Sequence, residues 1–160
     1  MDILTDLPVT NRKNKAIVIF TDYFTKWVKA FPIPVEDAVH VAHKLITGVL
    51  CNHGSPRKII SDRGNQFTSN LFREVTKLLG IKQAMTVAYN PSTDGQAEKA
   101  IGTLHNTLSK MVGSNQKEWN LLIPYALWAY RIAIHATIKE TSFFMVYGRE
   151  AEDPTEIQIK

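Results

Sequence analysis

A single cysteine, Cys51, stands in 160 residues, so the chain can form no internal disulfide. No charged start followed by an apolar segment is present, which argues against secretion and makes an intracellular, reducing compartment the expectation. Every long apolar run is interrupted by Lys, His, Asp or Arg short of the roughly 20 residues a membrane helix needs, so no membrane partner is expected. Runs of five or six like charges are also missing, which removes a basic tail and any strong nuclear import signal. Repeats and low-complexity segments are absent.

What is present suits one globular domain. The composition is 44% hydrophobic, and a chain of this length buries roughly 70% of the surface its unfolded form would expose. Nineteen Lys and Arg against fifteen Asp and Glu give a net charge of +4, compatible with a polyanionic partner. Residues 1–150 are expected to form the folded core and 151–160 a polar C-terminal tail.

The pattern of elements is mixed. Met1 to Leu4 reads as a strand, and Ala16 to Asp22 with Trp27 to Pro32 as a hairpin of β-branched and aromatic runs. Glu36 to Cys51 has Val39, Ala42, Ile46 and Val49 at helical spacing and stops at His53-Gly54-Ser55-Pro56. Lys58 to Ser61 is a short buried strand. Ser69 caps a helix with apolar Leu71, Phe72, Val75, Leu78 and Leu79, and Ile81 to Val87 is a further strand. Thr93 and Gln96 make a capping box for a helix striped by Ala97, Ala100, Ile101, Leu104, Leu108 and Met111. Trp119 to Ile134, with Pro124 inside, and Thr141 to Tyr147 complete an α/β domain around a mixed sheet.

Two carboxylates stand out. Asp62 follows the strand at Lys58, and Glu98 lies in the first turns of a helix, with thirty-five residues between them. Such acids taken singly more often cap helices or complement their dipoles. Phosphodiester chemistry with two Mg²⁺ ions instead gathers carboxylates from different elements around metals about 3.5 to 4 Å apart. A third acid is then required, and Asp2, Asp6 and Asp22 are available upstream; position favours Asp2 or Asp22.

The blocks Ser61 to Ser69 (SDRGNQFTS), Tyr89 to Lys99 (YNPSTDGQAEK) and Phe143 to Glu150 (FFMVYGRE) closely resemble the integrase catalytic core of gypsy-class LTR retrotransposons. Phe20 to Trp27 and His53-Gly54-Ser55-Pro56 fit the same pattern. The resemblance implies an RNase H-like fold, a five-stranded mixed sheet flanked by helices, and an Asp, Asp, Glu triad. Carried over, the triad is Asp2, Asp62 and Glu98, which would be both catalytic and metal-binding with two Mg²⁺ or Mn²⁺ ions. Asp2 takes the first place because Met1-Asp2-Ile3-Leu4 before Leu7-Pro8 matches the family's segment, whereas Asp22 matches an acid read as structural.

The implied activity is that of a polynucleotidyl transferase with endonuclease action. It would process the 3′ ends of the element's DNA and join them to host DNA, a recombination reaction. Tyr89, Asn90, Gln96, Lys99 and Lys110 would touch DNA, and the core would form a homodimer or higher oligomer, with the helix at Trp119 to Ile134 as one candidate surface. A nuclear location follows from the chromosomal substrate. The family most often has Arg where Lys99 stands and a polar residue near Ile101, which bears on DNA contacts. Its upstream zinc-binding module and downstream region are not visible, and His40, His43, Cys51 and His53 lack the closely spaced Cys pairs of a structural zinc site. A first strand that starts one residue before its acid is expected to fray. The alternatives are a domesticated or truncated domain that binds DNA or dimerises without catalysis, and, less favoured, a nuclease on RNA and DNA hybrids.

Overall fold

The computed structural model describes residues 1–86, 91–113 and 115–152, with only the backbone for 91–100. Strands β1 (Asp2–Leu4), β2 (Ala16–Thr21) and β3 (Val28–Ile33) form an antiparallel sheet in the order β1-β2-β3. Strands β4 (Lys58–Ser61) and β5 (Lys82–Met85) pair in parallel. The five strands therefore fall into sheets of three and two rather than the single expected sheet. The two sheets adjoin where the Met1 nitrogen donates to the Ile60 carbonyl at 2.6 Å. The crossover from β4 to its parallel partner β5 carries helices, as a parallel pair requires.

Helix α1 (Ala38–Lys44) runs through a π-turn at Leu45–Leu50 into the short α2 (Cys51–His53). After β4 come α3 (Asn65–Thr68) and α4 (Asn70–Leu78), and after β5 come α5 (Pro91–Val112), a 3-10 turn at Gln116–Glu118, α6 (Trp119–Ile132) and α7 (Ser142–Tyr147). Asp37, Ser69 and Thr141 accept a backbone N–H from the first turns of α1, α4 and α7, the expected use of short polar side chains at helix starts. Gly148 ends α7 in the left-handed region at φ 68°, where a Cβ would be strained.

The two faces of β2 organise the core. Ala16, Val18 and Phe20 face one way, against Val41, Ala42 and Leu45 of the α1 segment and Phe67 and Phe72 of α3 and α4. Ile17 and Ile19 face the other way, against Leu104 and Leu108 of α5 and Trp119, Ile123, Ala126 and Leu127 of α6. An unbroken apolar run is what a strand covered on both faces needs. The molecule is thus helices, sheet, helices.

Several expected core positions lie elsewhere. Val41, Ala42, Leu45 and Gly48 are buried in the α1 segment, while Val39 and Ile46 face solvent. Gly48 lies so close to Phe31 that a Cβ there would overlap the ring. In α4, Phe72 and Thr76 are buried and Leu71 and Leu78 are exposed. Thr76 is tolerated inside because its hydroxyl donates to the Phe72 and Arg73 carbonyls. The helix expected to reach Ile134 ends at Ile132, and Ile134 instead bridges Thr141. Val87, at the end of the expected fifth strand, lies outside the described residues.

Candidate active site

Asp62 is the first residue after β4. Its Oδ1 accepts the Gly64 N–H at 3.0 Å, a local turn that holds the carboxylate at the exposed strand end. The buried Ser61 hydroxyl donates to the Asp62 carbonyl at 3.1 Å, fixing the backbone beneath. Asp2 is half-buried in β1, opposite Ile19, and its Oδ1 accepts the Ile3 N–H at 2.7 Å.

The bond between Met1 and Ile60 brings these acids together. Asp2 is one residue from Met1 and Asp62 two from Ile60, and each step along the backbone spans about 3.8 Å at most. The electrostatics agree: burial lowers the Met1 amino pKa, while the nearby charges of Asp2 and then Asp62 oppose that shift. Both carboxylates therefore act on the same atom.

Directly opposed residues of an antiparallel pair share a face, so Asp2 lies on the face of Ile19, the one covered by α5 and α6. Glu98 belongs to α5, six residues before the buried Leu104, or about 9 Å along the axis. The helix that bears the third acid thus covers the face that bears the first. The Glu98 side chain lies outside the described residues, as do those of Gln96 and Lys99 and the whole of Tyr89 and Asn90. Lys110 is exposed near the end of α5, about 18 Å along the helix from Glu98.

The remaining acids have other duties. Asp22 closes the β2–β3 hairpin: its Oδ2 accepts the Thr25 N–H at 2.8 Å and hydroxyl at 2.6 Å, and its N–H donates to the Trp27 carbonyl at 2.9 Å. Asp6 takes a left-handed backbone conformation at φ 59°. The His40 ring contacts Asp37 at 2.8 Å, and Cys51 is exposed. Among the described residues, no three His, Cys, Asp or Glu side chains are placed to hold a metal. Asp2 and Asp62 nonetheless fit a hard divalent cation, since both offer carboxylate oxygens on adjoining strand ends.

Arg131 escaped the sequence reading. It reaches from α6 to β3, a separation of 103 residues, and Nη2 and Nε donate to the Val28 carbonyl at 2.7 and 3.2 Å. No local pattern announces such a contact.

A three-layer α/β fold with acids at the ends of adjoining strands defines an RNase H-like core. The chain belongs to the integrase core domain family, whose pattern it matches over residues 1–91. It is 36% identical over 118 residues to the Pol polyprotein of a radiation murine leukemia virus, an alignment covering 73% of this chain and 20% of that protein. The chain spans about a fifth of the length of that relative.

Solved structures share the fold. A chain of the simian T-cell lymphotropic virus intasome in complex with PP2A regulatory subunit B56 gamma superposes with TM-score 0.77 at 19% identity, covering 95% of this chain and 55% of that one. The catalytic core domain of BIV integrase superposes with TM-score 0.68 at 22% identity, covering 90% and 91%. The HTLV-2 integrase catalytic core, solved with magnesium in a trimeric form, gives 0.67 at 20%, covering 89% and 93%.

Proposed function

We propose that this chain is the catalytic core of a gypsy-class LTR retrotransposon integrase, a Mg²⁺-dependent polynucleotidyl transferase that works through Asp2, Asp62 and Glu98. The observation that carries the reading is the meeting of Asp2 and Asp62 at adjoining strand ends, under a helix that bears Glu98. Divalent cations, when bound, would polarise the phosphodiester and neutralise its developing charge. Asp2 lies in a strand paired with β2, and the turn at Gly64 holds Asp62, which supports a site whose carboxylates are positioned before DNA arrives. That preorganisation is how a site without a covalent intermediate lowers its barrier.

The reaction opens one phosphodiester near the element's end with water, and the 3′ hydroxyl so released attacks a phosphodiester of the target. Tyr89, Asn90, Gln96, Lys99 and Lys110 are the proposed DNA contacts, with the lysines on phosphates. The chromosomal substrate puts the reaction in the nucleus. Residues 1–150 form the catalytic unit, and 151–160 its tail.

Oligomerisation has a surface on α6. Leu121, Tyr125, Trp128 and Ile132 follow one another along the helix at spacings of four, three and four and are all partly exposed, an apolar seam suited to a second copy. The test of function is a strand-transfer assay on DNA ends with Mg²⁺. Product from the parent chain, and none from Asp62→Asn or Glu98→Gln, is expected. Equal product from all three would refute the assignment, and DNA binding without any product from the parent would favour a non-catalytic module.

A further inference from the structure

The turn that joins β1 to β2 carries charge of one sign. Arg12, Lys13 and Lys15 follow closely on one another, all three are exposed, and the stretch from Leu7 to Lys15 holds no acid. Two backbone bonds close the turn: the Lys13 N–H donates to the Thr10 carbonyl and the Thr10 N–H to the Asn14 carbonyl, each at 2.9 Å. Buried Thr10 adds a third, its hydroxyl oxygen accepting the Asn14 N–H at 3.0 Å. Lys13 takes the left-handed position of this turn at φ 65°, a place that glycine fills without strain. A cation stands where the backbone favours glycine. The Asn11 N–H donates to the Lys117 carbonyl at 3.1 Å, and the Trp119 indole N–H to the Pro8 carbonyl at 2.7 Å, so the turn is fastened to the start of α6. Lys117 is exposed there, and Lys110 is exposed in the last turn of α5. The acids nearby have other partners: Glu118 accepts from the Asn115 amide at 2.6 Å, and Asp6 from the Thr5 hydroxyl at 3.0 Å. Among the described residues, none of these five cations has a carboxylate within 4.0 Å. Like charges gathered without a counter-charge repel one another, and an anion that joins them relieves the repulsion.

We propose that Arg12, Lys13, Lys15 and Lys117 form a ridge that binds the phosphate backbone of duplex DNA beyond the catalytic acids. Duplex DNA carries one charge per about 1.7 Å of its axis, a density that several cations held by one turn meet together. The ridge lies within reach of the acids: Lys15 precedes Ile19, the partner of Asp2, by four residues, or about 14 Å along the strand. That is the length of about four base pairs at roughly 3.4 Å each. Phosphate contacts fix orientation and carry no sequence information, so the ridge steadies any duplex whose scissile bond lies at the acids. This steadying role rests on the proposed function; binding of duplex by the ridge does not.

The experiment measures binding of a random-sequence DNA duplex by fluorescence anisotropy between about 50 and 200 mM salt. One variant carries Arg12→Gln, Lys13→Gln and Lys15→Gln, which keeps long side chains on an unaltered turn. A second removes as much charge elsewhere on the surface, with Arg57→Gln, Arg73→Gln and Lys77→Gln, all exposed. The slope of log affinity against log salt should flatten by about 2 to 3 in the first variant, with affinity down on the order of 100-fold near 0.1 M salt, and change by under about 1 in the second. A third variant, Arg12→Lys, Lys13→Arg and Lys15→Arg, keeps the charge and should keep the parent slope. An unchanged slope in the first variant, or an equal fall in the second, overturns the ridge. So does a polyglutamate peptide that binds the parent as tightly as the duplex and loses as much in the first variant, which would assign the ridge to an acidic protein. A flattened slope together with no strand-transfer product from the parent supports the ridge and counts against the catalytic reading; an unchanged slope beside normal strand transfer does the reverse.

Discussion

Replacing Arg131 tests whether α6 and the sheet edge are held by one side chain. The Asp22 N–H donates to the Trp27 carbonyl, and successive strand residues turn their N–H and C=O to opposite edges, so the Val28 carbonyl points outward from β3, an edge strand. Arg131 covers that carbonyl with two N–H groups and lays its guanidinium 4.1 Å from the Trp27 ring centroid. Burial lowers its pKa, so the charge has lost water and leans on these partners. A hydrogen bond from a charged donor contributes about 1.5 to 3 kcal/mol, and a desolvated cation over an indole about 1 to 2 kcal/mol. Desolvation of the guanidinium offsets part of this sum, which leaves about 3 kcal/mol for Arg131→Ala. For a chain of this size that corresponds to a fall of roughly 6 to 12 °C in Tm. Arg131→Lys keeps the charge without the planar fork and should lose about half as much. Urea unfolding followed by tryptophan fluorescence measures both, with the midpoint moving and the slope constant. A loss under about 0.5 kcal/mol for Arg131→Ala, typical of an exposed surface site, would refute the reasoning.

Gly48→Ala pits two effects against each other. Alanine gains about 1 kcal/mol of helix propensity over glycine, but its Cβ would overlap the Phe31 ring, and overpacking costs about 1 to 3 kcal/mol; a net loss near 1 kcal/mol is expected by thermal denaturation, and Phe31→Leu should reverse its sign. Asp37→Ala removes the cap on α1 and should cost about 1 kcal/mol. The Asp37 pKa is lowered, first by the His40 backbone N–H; its contribution is therefore present above the usual carboxylate range and fades as pH falls through the lowered value, so parent and variant stabilities should converge in acid. Trp128→Arg places a charge in the middle of the α6 seam and should shift sedimentation toward monomer with Tm nearly unchanged, since Trp128 is 37% exposed.

The sheet was legible where burial on both faces wrote an unbroken apolar run, as in Ala16–Thr21, and in the paired isoleucines of the shorter Lys58–Ser61. Helix faces were harder. Val39 and Val41 both offer apolar side chains, and periodicity alone could not tell that Gly48 lies against Phe31. In α4, leucines outnumber the positions the core accepts, and a threonine that bonds its own helix takes one of them. The division into sheets of three and two depends on strand pairing between distant segments, which no local pattern records. Asp2 and Asp62 were found through motif blocks, and their meeting became visible only through the Met1 and Ile60 contact.

The most direct test of the metal reading is a structure determined after soaking with Mn²⁺, read by anomalous scattering. The account predicts Mn²⁺ bound between Asp2 and Asp62 with Glu98 as the third carboxylate ligand, and no such peak in Asp62→Asn. Manganese bound elsewhere, with the three carboxylates turned to different sides of the sheet, would contradict it.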